Sequence, residues 1–265
     1  MAHRVRRTPA RGLIPLMILT IDIGNSFTKW GLWEDSFLDE RFSSQTSSLE
    51  DEAVLDSLLT DLRSKNIEAV SACSVVPAAT EKVSRKIKEV LGLGVKWISG
   101  ESELGVGVDY ETRSTLGADR LVAAFGAYRK YGGPVIVCDF GTATTIDLVQ
   151  EDGTFSGGLI APGFAMLSES LGAKAAQLFA VEIKKPDSII GISTETALRS
   201  GIFHSVIGLL EATVPRMSEH LSSKPKIVAT GGNAHFVASG TEIIDEIDED
   251  LVLYGLFLSS TLASI

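Results

Sequence analysis

Two short loops carry the residue types that chemistry on a phosphate requires. The first is Asp22-Ile23-Gly24-Asn25-Ser26, followed by Phe27, Thr28 and Lys29. A glycine in a tight hairpin lets the backbone approach a ligand closely, so that successive N–H groups can point at phosphate oxygens. Asn25 and Ser26 add side-chain donors and Lys29 adds a positive charge. An aspartate at the strand end repels a phosphate, so the expected task of Asp22 is to hold a hydrated Mg²⁺. Alone, Asp-x-Gly-Asn is an ordinary hairpin with Asx-turn chemistry. The second loop, Asp139-Phe140-Gly141-Thr142-Ala143-Thr144-Thr145, has three hydroxyls and a glycine, which suit phosphate oxygens and a cation but are poor plain turn formers. Two such loops in one chain point to phosphate binding.

A third element, Ile227-Val228-Ala229-Thr230-Gly231-Gly232-Asn233, places paired glycines after an apolar run, where bare backbone permits a nucleobase or sugar to stack flat. Other chemistries are excluded. No G-x-x-x-x-G-K-[ST] occurs, and no G-x-G-x-x-G follows a strand, so neither a P-loop nor a dinucleotide site is supported. Cys73 and Cys138 lie in apolar runs and the four histidines have no ligand spacing, against a disulfide scaffold or a zinc module. The net charge of −10 without a basic block in the main body argues against nucleic acid or an anionic membrane as partner.

The elements that must position these loops alternate between strand and helix, which predicts an α/β class. Met17–Ile23, Lys29–Trp33 and Phe37–Phe42 read as a meander. Val54, Leu58 and Leu62 mark a helix, Ala69–Val76 a strand, Val83 to Leu91 a second helix and Val95–Ile98 another strand. Gly100 to Leu116 has little periodicity and reads as a functional loop. The pattern then restarts: a helix through Leu121, Phe125 and Tyr128, and strands at Val135–Phe140, Thr144–Val149 and Thr154–Ile160. Helical runs at Met166–Leu178 and Thr194–Glu211, a strand at Lys226–Ala229 and a terminal helix from Leu251 complete it. The repeated strand, Asp-x-Gly-Asn/Thr, strand signature predicts a duplicated unit with one loop in each half facing a common cleft.

With 265 residues and 45% hydrophobic composition, the chain is long enough for one large domain or two small ones. The expected boundaries are a basic, mobile extension at 1–16, a first domain at 17–117 and a second at 118–265. The basic head and the apolar stretch before Asp22 imitate a secretory signal but lack a small-x-small cleavage site. Leu251 to Ile265 is too short to span a bilayer, so the expectation is a soluble cytoplasmic protein. His204 and the three tryptophans read as packed residues, and the acidic run Asp245–Asp250 as a solvated loop or helix start rather than a metal cluster.

In order and spacing the segments D-I-G-N-S-F-T-K-W (22–30), L-G-A-D-R (116–120), D-F-G-T-A-T-T (139–145), G-G-x-I-A-P-G (157–163), S-T-E-T-A-L-R-S-G (193–201) and A-T-G-G-N-A (229–234) resemble the type III pantothenate kinases. These belong to the superfamily of acetate and sugar kinases, heat-shock chaperones and actin. The resemblance runs over nearly the whole chain from Met17. It implies two tandem ribonuclease H-like domains of the actin-like ATPase kind with the active site in the cleft between them. It also implies phosphorylation of pantothenate by ATP, the first step towards coenzyme A, with Mg²⁺ and a monovalent cation, K⁺ or NH₄⁺, in a homodimer.

Carried over by residue, the resemblance puts Asp22, Ile23, Gly24, Asn25, Ser26, Phe27, Thr28, Lys29 and Thr142 on the ATP phosphates, and Gly231 and Gly232 on adenosine. It makes Asp139 the monovalent-cation ligand and Asp119 the catalytic base. Gly117, Ala118, Asp119 and Arg120 form the pantothenate-binding turn, with Tyr110 and Thr194 as further substrate contacts. Pantothenate offers a carboxylate and a primary hydroxyl, so Arg120 suits the anion and Asp119 the hydroxyl. Without the resemblance, Asp119-Arg120 would read as a first-turn helix acid beside a surface ion pair. Two departures stand out: Tyr110 is followed by Glu111-Thr112-Arg113 in place of x-Asn-Pro, for which the expectation is a looser loop or an altered affinity, and Ser193 stands where Asn is common. The alternatives are a kinase of the same superfamily with another acceptor and a non-catalytic nucleotide-binding regulator.

Overall fold

A computed structural model of the chain describes residues 17–174 and 178–262. The expected extension at 1–16 and the last residues of the expected terminal helix lie outside that range. The chain divides into two compact units, residues 17–97 with 259–262, and residues 98–258.

In the first unit, strands β1 (Met17–Ile23), β2 (Phe27–Glu34), β3 (Phe37–Gln45), β4 (Ile67–Ser74) and β5 (Val95–Ile98) form one sheet in the order β3-β2-β1-β4-β5. β1 pairs antiparallel with β2 and parallel with β4. The two-residue period sends Met17, Leu19, Ile21 and Ile23 into an apolar core and leaves Thr20 and Asp22 on the other face. Helices α1 (Glu52–Leu62) and α2 (Pro77–Leu91) close that core with Leu55, Leu59 and Leu62, and with Val83 and Ile87. α2 starts with proline at its first position and ends at Gly92, whose φ of 73° suits a residue without Cβ.

The second unit repeats the plan. Strands β6 (Val135–Phe140), β7 (Ala143–Val149), β8 (Phe155–Pro162), β9 (Lys226–Thr230) and β10 (Glu246–Ile247) follow the order β10-β9-β6-β7-β8. The hairpin strands again run antiparallel, and the crossover strand β9 runs parallel to β6. Helices α4 (Phe164–Lys174) and α5 (Thr194–Ser218) cover one face, where Ile202, Phe203, Val206 and Leu210 meet Cys138, Phe140, Ile146 and Leu148. α3 (Ala118–Tyr131) packs against β6 and β7, and α7 (Leu251–Thr261) crosses α3 closely at two glycines. A Cβ on Gly126 would stand 2.8 Å from Leu251 O, and one on Gly255 2.3 Å from Val122 O.

The sequence drew its line before residue 118, whereas the loop 98–116 groups with the second unit. Its backbone is tied there, since Asp109 N donates to Phe155 O at 2.8 Å and Phe155 N to Gly107 O at 2.9 Å. The expected looseness after Tyr110 is absent. Arg113 donates to Gly100 O, Ser102 O and Glu103 Oε1 at 3.2, 3.0 and 2.8 Å, so three bonds staple the loop. The acidic run leads into the start of α7, as one of its two expected readings had it, with Tyr254 N donating to Asp250 O at 2.8 Å. It contains β10 and a buried Asp248 that accepts from Lys130 Nζ at 2.7 Å and Tyr131 Oη at 2.9 Å. The short helix α6 (Ala234–Ala238) follows the paired glycines and has no sequence periodicity to announce it.

Candidate active site

The β1–β2 hairpin is held from behind by two threonines. Asp22 and Lys29 face each other across the ladder, as do Ile23 and Thr28, and Gly24 N donates to Phe27 O at 3.1 Å to close the turn. Thr46 Oγ1 donates to Gly24 O at 2.7 Å and Thr46 N to Ser26 O at 2.9 Å. Thr28 Oγ1 lies 3.0 Å from Thr46 Oγ1. The side chains of Ile23 and Thr28 are buried, so of the residues expected on ATP these two can offer a ligand only backbone. Asn25, Ser26 and Phe27 are exposed, and Asp22 and Lys29 are half-buried on the sheet face away from the core. The Cys73 thiol donates to Asp22 Oδ1 at 3.5 Å.

In the second unit α3 begins at the expected turn. Gly117 is the residue before the helix, and Asp119, in the first turn, accepts from Arg120 N through Oδ1 at 2.9 Å. A carboxylate there is favoured by the N-terminal end of the helix dipole. Arg120 is not a surface residue. Its Nε donates to both oxygens of Asp147 at 3.1 Å and its Nη2 also bonds Asp147 Oδ1, with the two side chains 6% and 2% exposed. Tyr110 and Phe155 flank the guanidinium, their ring centroids 5.9 and 5.7 Å from its carbon. Burial raises the Asp147 carboxyl above its usual value despite the guanidinium's opposite pull, and burial disfavours the Arg120 charge but Asp147 and then Tyr110 together more than offset it.

Asp147 escaped the sequence reading because Thr-Thr-Ile-Asp-Leu-Val reads as one buried strand. The signal was there: a charge within such a run needs an opposite charge beside it. One edge of the Arg120 guanidinium therefore already belongs to Asp147.

Asp139 shares a sheet face with Thr145 and Asp147 and pairs across the ladder with Thr230. Gly231, at φ 88°, stands against it so tightly that a Cβ would meet Asp139 Oδ1 at 2.3 Å. Thr230 Oγ1 is buried without a hydrogen-bond partner among the described residues. An orphaned hydroxyl next to a carboxylate, all oxygen donors, fits a hard cation. Thr142 is exposed, and its carbonyl accepts from Gly163 N at 3.1 Å. Asn233 N and Nδ2 both donate to Phe140 O, at 3.0 and 3.2 Å, tying the paired-glycine turn to the β6–β7 turn.

Thr194 is not brought to this cluster. It opens α5 after the Ser193–Thr196 capping box and lines a groove of about 610 Å³ with Leu167, Leu171, Ala197 and Gly201. α5 covers the sheet face opposite the one carrying Asp147. Among the described residues, no group of three or more His, Cys, Asp or Glu side chains is arranged to hold a metal by itself, and no helix is long and apolar enough to cross a membrane. Burial raises the Cys138 thiol far above its usual value, so it is no nucleophile.

The family model described as type III pantothenate kinase matches residues 18–216. A type III pantothenate kinase of Desulfatibacillum aliphaticivorans is 38% identical over 247 residues, covering 91% of this chain and 96% of its own. One of Akkermansia muciniphila is 38% identical over 245 residues, covering 92% and 98%. A solved structure described as a conserved putative Baf family transcriptional activator from Campylobacter jejuni superposes with a TM-score of 0.59 at 22% identity, covering 91% of this chain and 96% of that one. At that identity it speaks for the fold alone.

Proposed function

We propose, because the chain belongs to the type III pantothenate kinase family, that it transfers the terminal phosphoryl group of ATP to the primary hydroxyl of pantothenate. The product is 4′-phosphopantothenate and the step is the first of coenzyme A biosynthesis. The observation that carries the reading is Asp119, presented at the start of α3 beside an arginine whose guanidinium is fixed in place.

Phosphoryl transfer of this kind has a loose transition state, so the protein's work is positioning and charge stabilisation. Asp119 orients the acceptor hydroxyl and takes its proton late. The free end of Arg120 binds the pantothenate carboxylate, and Tyr110, Gly117 and Ala118 shape the pocket around it. Backbone N–H groups of residues 22–28, the Asn25 and Ser26 side chains, Lys29 and Thr142 hold the ATP phosphates. Gly231 and Gly232 lie flat against the adenosine. Asp22, through water, is the residue to hold Mg²⁺, while Asp139 with the Thr230 hydroxyl is the place for K⁺ or NH₄⁺. Bound there, the cations neutralise charge on the phosphates.

A homodimer completes the reading. The outer face of α5 offers Ala197, Gly201, Ser205 and Gly208, small enough for close approach, and Ile189, Ile190 and Ile192 beside its start are exposed. Thr194 is on the far side of its own sheet from Asp119, so a second copy is what would bring it to the substrate.

The test is ADP release from ATP and Mg²⁺, with and without pantothenate, in K⁺ and in Na⁺ buffer, with Asp119→Asn as control. The expected result is turnover that needs pantothenate and K⁺ together and disappears in the variant. ATP consumption indifferent to pantothenate would assign another acceptor, and nucleotide binding without turnover a regulatory role.

A further inference from the structure

We propose that Asp147 is a positioning residue for acceptor recognition: it takes the Nε edge of Arg120 and so aims the opposite end of the guanidinium at the acceptor's carboxylate. The proposal rests on the reading of Arg120 as the group that binds that carboxylate.

A guanidinium has five N–H donors in a rigid plane. The bonds to Asp147 come from Nε and Nη2, which leaves Nη1 outside the pair. The end formed by Nη1 and the second Nη2 hydrogen is again a two-pronged fork matched to a carboxylate. A lysine in the same place would be one point charge, consumed by Asp147.

The fold goes to some length to keep the pair. Asp147 pairs with Gly158 on β8, where a Cβ would stand 2.0 Å from Ile146 O and 2.6 Å from Asp147 Oδ1, so glycine is needed there both for the close strand approach and for the carboxylate. Next to it Gly157, at φ 79°, passes beneath Tyr110, whose ring would touch a Cβ at 3.6 Å. The Tyr110 and Phe155 rings then confine the guanidinium plane from the sides. A buried ion pair of this quality contributes little net stability. Its distinctive effect is to remove the rotational freedom of Arg120 before the substrate arrives, which lowers the entropic cost of binding. It also gives Arg120 a carboxylate other than its neighbour Asp119, leaving Asp119 to the substrate hydroxyl.

Two measurements on the full chain test this. In the first, calorimetry compares pantothenate with panthenol, its analogue with a primary alcohol in place of the carboxylate, on the unmodified protein and on Asp147→Asn. The expected result is an unmodified protein that favours pantothenate by about tenfold or more, and a variant in which that preference falls below about threefold while panthenol affinity stays within about twofold. A variant that keeps the full preference overturns the proposal. The second needs no change to the pair. The Arg120 Nε–H resonance, identified by its loss in Arg120→Lys, is followed by NMR during pantothenate titration. The proposal expects a slowly exchanging signal that persists in the complex, and a signal lost or brought into fast solvent exchange when pantothenate binds overturns it, even if Asp147→Asn does not fold. Failure of the functional reading looks different: the unmodified protein would bind no pantothenate, with the Nε–H signal intact, and the proposal would fall with it.

Discussion

Gly117 leaves a gap that the Asp119 carboxylate fills: a Cβ on residue 117 would stand 2.6 Å from Asp119 Oδ1. The backbone of Gly117 is ordinary, with φ −58° and ψ 128°, so the glycine is needed there for space and not for conformation. Gly117→Ala is therefore expected to displace Asp119 without unfolding α3. Its kcat should fall by about tenfold or more, approaching the roughly 10²–10⁴-fold loss expected of Asp119→Asn. Steady-state kinetics beside a melting curve checks it, and an alanine variant with unchanged kcat would show that Asp119 does not need its present place.

Thr46 braces the first phosphate loop from outside it, through Gly24 O, Ser26 O and Thr28 Oγ1. Thr46→Val keeps the shape but removes the hydroxyl bonds, at a cost of about 1 kcal/mol each. The KM for ATP should rise several-fold while the KM for pantothenate holds. Equal rises in both would mean that the brace serves general stability.

Thr230 provides a test of the cation site that does not depend on turnover. Its hydroxyl is buried and unpartnered among the described residues. Thr230→Val should thus melt at the same temperature or higher in a buffer of large organic cations, because an unsatisfied polar atom is removed. It should also lose the extra thermal stability that K⁺ gives the unmodified protein. A K⁺-dependent shift in melting temperature equal in both proteins would remove Thr230 from the site.

Gly231 combines φ 88° with the 2.3 Å approach of a would-be Cβ to Asp139 Oδ1. Gly231→Ala is expected to destabilise the second unit by roughly 1–3 kcal/mol and to weaken ATP binding. Denaturant unfolding and nucleotide titration measure the two effects separately. Unchanged stability would mean that the turn relaxes freely.

The pH dependence of stability has a surface contribution with a definite sign. Glu151 sits below its usual pKa, most of all through its own backbone N–H; burial opposes this, and the bonds from Ser222 N at 2.9 Å and Ser223 N at 3.2 Å add to the lowering. A carboxyl depressed in the folded state stabilises above its unfolded pKa of about 4.5, and that stabilisation is lost as pH falls through the lower, folded value. Glu151→Gln should consequently melt below the unmodified protein at pH 7, and the two curves should converge as the pH is lowered below 4.5. A gap that stays constant down to pH 3 would contradict this assignment.

Local periodicity and glycine placement made most of the fold legible in advance. The runs Met17–Ile23 and Val135–Phe140 read as buried strands, and each leads at its end into Asp-x-Gly, so the duplicated hairpin was readable from its ends. α6 and β10 were not, because a five-residue helix and a two-residue strand are held by their surroundings rather than by their own residues.

The site divides along the same line. Residue types adjacent in the chain, Asp22 to Lys29 and Gly117 to Arg120, declared their chemistry because a turn brings near neighbours together whatever the rest of the protein does. Relationships between distant residues were decided only by tertiary structure. Arg120 meets Asp147 because α3 lies on that face of the sheet, and Asp139 meets Gly231 because β9 runs parallel to β6. Thr194 is separated from both because α5 covers the opposite face. A sequence specifies which side chains must be buried and which turns are allowed. Which buried charge finds which partner depends on strand register and helix placement, and these are set by the packing of the whole unit.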